Sequence, residues 1–267
     1  VPESSTETVE ISALSNDIPG YDFGVADPHL NSIGQERTVT MLHKVNVFVG
    51  ADGRGGNPLA VFLDGGGFSS EQRQSVATDL DFSETVFVND LCGGVLQIFT
   101  PATELPFAGH PLVGTAWLLR REGHTVDALR PPAGVVAVRF EGDSTWITGR
   151  PEWSPKMEFL QYDASAEIDA LTGAPHGIGF AYCWAWEDEA QERVRARVFI
   201  PEHNIHEDEA TGSGAVAFAA HIGRGVTVYQ GVGSLLTTRL HDDGAVSVGG
   251  AVKLTDTRLY TIGTTVD

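Results

Sequence analysis

Two short segments constrain this chain more than any other feature: Leu112 to Leu119 (Leu-Val-Gly-Thr-Ala-Trp-Leu-Leu) and Ala215 to Ile222 (Ala-Val-Ala-Phe-Ala-Ala-His-Ile). Both read as helices, and neither offers a polar face. A helix that is apolar on all sides persists in water only when protein surrounds it. Both fall far short of the roughly 20 apolar residues that a membrane span needs. Each must therefore be wrapped by other elements, and the rest of the chain has to supply two wrappings.

The flanking sequence is strand-like. Val39 to Val49 is rich in β-branched and apolar residues, Gly50 to Asn57 reads as a glycine-rich turn, and Leu59 to Leu63 reads as a second strand. Ser69 or Ser70 then caps a helix to about Leu80, with Glu71 in its first turn and apolar positions at Val76, Ala77 and Leu80. Short strands follow over Thr85–Val88 and Val95–Thr100. After Arg130-Pro131-Pro132 the cycle resembles the first, with strands near 135–140, 145–148, 178–186 and 193–200 before the second buried helix. Strands near 226–229, 234–240, 245–254 and 259–262 finish the chain. The order of elements predicts two similar α/β lobes facing a cleft: lobe 1 over 38–128, joined by about 255–267, and lobe 2 over 129–254. Residues 1–37, with turn formers and weak periodicity, read as an extension.

Charge narrows the partners. With 36 acidic residues against 17 basic ones, the net charge of −19 repels phosphate backbones, so nucleic acid is not an expected partner. A small anionic substrate stays compatible, because local backbone dipoles outweigh distant screened charges. No membrane span and no secretory pattern is visible, which makes cytoplasmic the expected location. The cysteines, Cys92 and Cys183, are too few and too far apart for a zinc site. Cys183 reads as a buried structural thiol and Cys92 as a turn residue.

The chemistry is suggested by how the two buried helices begin. The first opens Phe107-Ala108-Gly109-His110-Pro111 and the second Ala210-Thr211-Gly212-Ser213-Gly214. Proline suits a first helical turn, and glycine beside it lets backbone approach a ligand without a Cβ in the way. The first amides of a helix have no internal acceptor and carry the positive end of its dipole. Such an end binds a carboxylate or stabilises an enolate oxygen. Taken singly, each start is explained as well by the needs of helix initiation.

Longer motifs surround these starts. Gly56-Asn57-Pro58-Leu59-Ala60-Val61, Ser83-Glu84-Thr85-Val86-Phe87-Val88 and the run Ile98-Phe99-Thr100-Pro101-Ala102-Thr103-Glu104-Leu105-Pro106-Phe107-Ala108-Gly109-His110-Pro111 resemble successive signatures of the PhzF-like family. Arg197-Val198-Phe199-Ile200-Pro201 and Glu207-Asp208-Glu209-Ala210-Thr211-Gly212-Ser213 resemble its second-half motifs. The match runs in order from about Val45 to Lys253. It implies a diaminopimelate epimerase-like fold of two lobes, each a barrel-like sheet around a central helix. It implies catalytic roles for Glu84, His110, Asp208 and Ser213, and substrate-facing roles for Gly109, Gly212, Asn57 and Ser83. It also implies a homodimer and needs no cofactor. Glu209 departs from the pattern by standing where the family usually has proline, Gly214 stands where alanine is common, and His206 replaces a smaller residue.

The activity so implied is an isomerase in specialised-metabolite biosynthesis. It moves a proton, and with it a double bond, on a small carboxylated cyclic substrate, with Glu84 as acid and base. Phe82, Val86 and Phe87 beside Glu84 permit the burial that lifts a carboxyl toward neutral pH. Without that resemblance Glu84 reads as a strand carboxylate facing solvent, His110 as a surface cap, Asp208 as part of a solvated acidic loop and Ser213 as a helix cap. Two other activities stay open, a two-base epimerase or racemase lacking the usual thiol pair, and a silent carboxylate-binding protein on the same scaffold. His203 and His206 do not fit a metal-helix motif, and no nucleotide-binding glycine pattern precedes a helix.

Overall fold

The computed structural model describes residues 38–203 and 205–262; the amino-terminal extension expected over 1–37 and the chain from 263 onward lie outside them. The first half comprises β1 (Thr38–Val49), β2 (Asn57–Phe62), α1 (Ser70–Leu80), β3 (Glu84–Asp90), β4 (Val95–Phe99), β5 (Glu104–Leu105) and α2 (Gly109–Arg121). Then come β6 (Ala128–Leu129), β7 (Val136–Glu141), β8 (Ser144–Gly149), β9 (Glu158–Gln161), α3 (Ser165–Asp169), β10 (Ala181–Asp188) and β11 (Arg193–Ile200). The chain closes with β12 (Ile205–Asp208), α4 (Gly212–Ile222), β13 (Thr227–Gln230), β14 (Ser234–Leu240) and β15 (Val246–Ile262).

All the strands belong to one mixed sheet whose main path runs β5-β4-β3-β2-β1-β15-β14-β13-β11-β10-β9, with β8, β7 and β6 branching from β15 and β12 from β11. The long β15 makes this possible. Its start pairs with β14 and β8, and its remainder pairs with β1 as far as Thr38↔Ile262. The sequence reading splits this strand in two, at 245–254 and 259–262. The polar middle, Thr255-Asp256-Thr257, carries no apolar run, yet Asp256 and Thr257 keep register with Lys44 and His43. Thr255 donates its hydroxyl to the Lys44 carbonyl at 3.0 Å, beside a bulge in that register.

The wrapping demanded by the apolar helices is visible element by element. Helix α2 packs on β1, β2, β3, β8 and β15. Leu112, Val113, Ala116, Leu118 and Leu119 are fully buried there, each large side chain contributing about 2 kcal/mol of apolar burial. Helix α4 packs on β14 and β15, and Phe218 sits among Tyr182 and Trp184 of β10 and Phe159 of β9. Strand β6 spans the boundary expected between residues 128 and 129, and β7 and β8 extend the sheet on the α2 side.

Local signals explain the helix ends. Ser69 accepts from the Gln72 amide and Gln72 caps Ser69 in return, which fixes the start of α1. Arg120 and Arg121 occupy the last turn of α2, where cations complement the dipole. Gly223, at φ 74°, stops α4, and the Arg224 amide returns to the Ala219 carbonyl. Both buried helices start three residues earlier than their apolar runs suggest, at Gly109 and Gly212. Among the described residues no helix is long and apolar enough to cross a membrane.

Candidate active site

The amino-terminal ends of α2 and α4 meet backbone to backbone. A Cβ placed on Gly109 would lie 2.5 Å from the Gly212 carbonyl carbon, and one placed on Gly212 would lie 2.7 Å from the His110 amide nitrogen. Only glycine at both positions allows this approach. Ala108 and Thr211, at the N-caps, offer no side-chain bond to the first turns. The leading amides, which have no acceptor within their own helices, therefore gather around one point, and the positive ends of two dipoles add there.

Glu84 enters this region as the first residue of β3, in parallel register with Leu59 of β2. Its Oε2 lies 3.2 Å from Nε2 of His110, the second residue of α2, with side chains only 15% and 4% exposed. The two atoms are misaligned for a hydrogen bond, and among the described residues neither of these buried atoms has a bonded partner. A buried carboxylate oxygen facing a buried ring nitrogen, neither satisfied, is unusual in a folded protein and is met mainly where a ligand or a transferred proton completes the set.

Asn57, the first residue of β2, organises the rest. Its amide nitrogen donates to Asp208 Oδ1 at 2.6 Å and to the Ala210 carbonyl at 3.1 Å, and its oxygen accepts from the Ser83 hydroxyl at 3.2 Å. Since a carboxylate and a carbonyl can only accept, the orientation of this amide is fixed. The same nitrogen stands 3.4 Å from Nδ1 of His110; with both its hydrogens already donated and no lone pair to accept, it favours an unprotonated Nδ1 and the ring proton on Nε2, facing Glu84. Asp208 is held a second time, its Oδ2 accepting from the Thr211 hydroxyl at 2.6 Å. Gln230, buried in β13, donates to the Asp208 carbonyl at 2.8 Å and to Thr211 Oγ1 at 2.9 Å.

Burial sets the proton affinities. Glu84 is pushed up to about 7, because desolvation disfavours its charged form. His110 is pushed down to about 4 by the same desolvation, only partly opposed by the Asp208 charge. Asp208 is raised by burial and then by the proximity of Glu84. Near neutral pH the imidazole is thus uncharged, while Glu84 is poised between its two forms.

The structure thus brings Glu84, His110, Asp208, Asn57, Ser83, Gly109 and Gly212 together. Ser213 lies at the second position of α4, behind the N-cap Thr211, so it does not cap the helix; its carbonyl accepts from the Ser154 hydroxyl at 2.9 Å. Asn57 starts a strand instead of closing the turn before it. The acidic run is no solvated loop: Glu207 is paired with Arg197, whose Nε donates at 2.7 Å, and Asp208 ends β12. His206 is exposed and leans edge-on toward Phe199. Gln230 and Thr211 escape the sequence reading. The alternation in β13, with Val228 and Gln230 buried and Tyr229 exposed, is the signal that marks Gln230 as an inward-facing amide in need of partners. Two surface hollows, of about 490 and 290 Å³, are lined by other residues, the larger by Trp117, Arg120 and Thr145 among them.

The sequence profile of the phenazine biosynthesis-like protein family matches residues 45–174. A trans-2,3-dihydro-3-hydroxyanthranilate isomerase of Pseudomonas chlororaphis is 31% identical over 212 residues, covering 63% of this chain and 75% of the relative. Among solved structures, a phenazine biosynthesis PhzC/PhzF protein from Clostridium difficile superposes with a TM-score of 0.67 at 17% identity, over 82% of this chain and 98% of that one. A PhzF family protein from Enterococcus faecalis does so with a TM-score of 0.65 at 19% identity, over 84% and 99%. The architecture is the diaminopimelate epimerase-like one that the motifs lead one to expect.

Proposed function

This chain belongs to the phenazine biosynthesis-like, or PhzF, family of isomerases, and from that premise we propose that Glu84 moves a proton, and with it a double bond, on a small carboxylated cyclic substrate. The supporting observation is the buried Glu84–His110 pair at 3.2 Å, lying where two helix ends converge. The substrate carboxylate docks on the amides that Gly109 and Gly212 expose, where dipoles and unsatisfied N–H groups favour an anion. Ionised Glu84 takes a proton from a ring carbon, and the C–H electron pair delocalises into the adjacent unsaturation. The resulting Glu84 carboxylic acid, whose proton exchanges with solvent before delivery, then protonates the far carbon of the delocalised system. Nothing is lost or gained, and the carboxylate is regenerated. A pKa of about 7 suits both halves of this cycle, since one group must be base and then acid at the same pH.

Neutral His110 offers its Nε2 proton as a hydrogen-bond donor to the negative charge that develops on the substrate. Asp208, with both oxygens already accepting hydrogen bonds, acts as a fixed charge that orients Asn57 and Thr211. That engagement weighs against Asp208 as the second base that an epimerase would need. Given the named relative, trans-2,3-dihydro-3-hydroxyanthranilate is the first substrate to offer, placing the enzyme in specialised-metabolite biosynthesis. Incubation in D2O tests the proposal by mass spectrometry: an isomerised product carrying deuterium at the new C–H supports it. Unchanged compound, or inversion of a stereocentre without movement of the double bond, would remove it.

A further inference from the structure

Among the described residues Glu209 is paired with no cation, and it is half-buried. Its two carboxylate oxygens receive the Val232 amide at 3.0 and 2.9 Å, and Oε1 also accepts from the Ser234 hydroxyl at 2.8 Å. Ser234 is fully buried, and its oxygen in turn accepts the Gly56 amide at 2.8 Å. The single hydroxyl proton is committed to Glu209, so the relay runs in one direction, from the Gly56 amide through Ser234 to the carboxylate. The residue after Gly56 is Asn57, whose amide grips Asp208 and Ala210, the two neighbours of Glu209. Side-chain and backbone links thus form a closed circuit from Glu209 through Ser234, Gly56 and Asn57 back to the residues flanking Glu209.

Close backbone contact surrounds the circuit. A Cβ on Gly55, at φ 68°, would collide with the Gly233 carbonyl carbon and the Ser234 amide, and one on Gly231, at φ 57°, with the Glu209 carboxylate itself. Two glycine turns, one before β2 and one before β14, are therefore pressed together with a carboxylate buttressing one of them. Without an acceptor at 209, the Val232 amide and the Ser234 hydroxyl would lose their partner, and the turn that carries Gly56 and Asn57 would lose its anchor.

We propose that Glu209 is a positioning residue of the active site, acting through Ser234 and the Gly56 amide to hold Asn57 against Asp208 and His110. This rests on the isomerase reading of the same site, but its structural half can be tested without any substrate. Glu209→Ala should lower kcat on trans-2,3-dihydro-3-hydroxyanthranilate by roughly 10- to 100-fold, the scale on which a small misplacement of catalytic groups is felt, with KM little changed. Glu209→Gln, which keeps an acceptor for Ser234, should recover most of the rate. Glu141→Ala, which removes an exposed partner of Arg239, serves as the control for general loss of stability.

In the free protein, a pH titration of the His110 ring followed by NMR should move toward the ordinary imidazole value in Glu209→Ala, as the loosened ring becomes hydrated, and stay in place in Glu209→Gln. This readout stands even if the wild-type enzyme ignores the probe substrate, an outcome that would count against the isomerase reading alone. An unshifted His110 titration in Glu209→Ala would overturn the positioning role. So would an undiminished kcat, or a kcat loss matched by Glu141→Ala at equal loss of Tm.

Discussion

Replacing Glu84 with glutamine should make the protein inactive and, in alkaline solution, more stable. Lifting a carboxyl from 4.5 to about 7 expresses a preference for its neutral form of about 3 kcal/mol, at 1.36 kcal/mol per pH unit. Between those two pH values an unfolded chain has released this proton while native Glu84 still holds it. The native state binds more protons there, so stability falls as pH rises through the window and levels off above about 7. Glutamine has nothing to ionise. Glu84→Gln should therefore match wild type near pH 4 and exceed it at pH 8 by up to about 3 kcal/mol, or roughly 6–12 °C in Tm for a chain of this size.

His110 contributes the opposite slope, since its value lies at about 4 instead of 6.5: there the unfolded chain binds more protons, and stability rises with pH across that interval. In wild type the two slopes oppose each other between about 4.5 and 6.5; in Glu84→Gln the His110 slope stands alone. Urea denaturation at pH 4, 6 and 8 measures these differences directly. Deuterium incorporation from D2O into the substrate should drop by at least about 10³-fold in the same variant, toward the upper end of general acid–base effects. Equal stabilities of the two proteins at pH 8, or exchange that survives the substitution, would refute the reasoning.

Gly212→Ala would force a Cβ to within 2.7 Å of the His110 amide nitrogen. Because backbone cannot rotate away, the two helix ends must part. The expected cost is about 1–3 kcal/mol in denaturation experiments, with a fall in exchange rate of roughly 100-fold. Asp208→Asn removes the charge that partly opposes the lowering of His110 and sets an amide where only acceptors fit. Its His110 titration should move below that of wild type by NMR, and stability should drop by about 1–3 kcal/mol. Treatment with a chelator such as EDTA should leave the D2O exchange rate unchanged, because the proposed cycle uses only the carboxylate and its neighbours.

Much of the fold is legible in the sequence where one physical rule acts alone. The capping serine of α1, the glycine stop of α4 and the apolar interior of both buried helices each follow from local needs of the backbone or of water exclusion. The short pieces β5, β6, β9, β12 and α3 leave no comparable trace, since two to five residues carry too little periodicity and are held by their neighbours. The continuity of β15 is equally invisible, because its polar middle is strand only by virtue of β1 alongside it. At the site, Gly109-His110 and Gly212-Ser213 announce themselves as helix starts, while Gln230 and Glu209 matter only through partners far away in the chain.

The sequence by itself determined that two apolar helices had to be enclosed by strands, and that each began with a glycine and exposed amides. Those are consequences of hydration and backbone geometry within a few consecutive residues. Tertiary structure alone decided that the two helix ends touch, that Glu84 is dehydrated beside His110, and that Asn57 locks Asp208 in place. Burial and electrostatic coupling depend on atoms brought together from distant positions. A carboxyl of ordinary acidity in the sequence becomes one of about 7 only once the folded chain has removed the water around it.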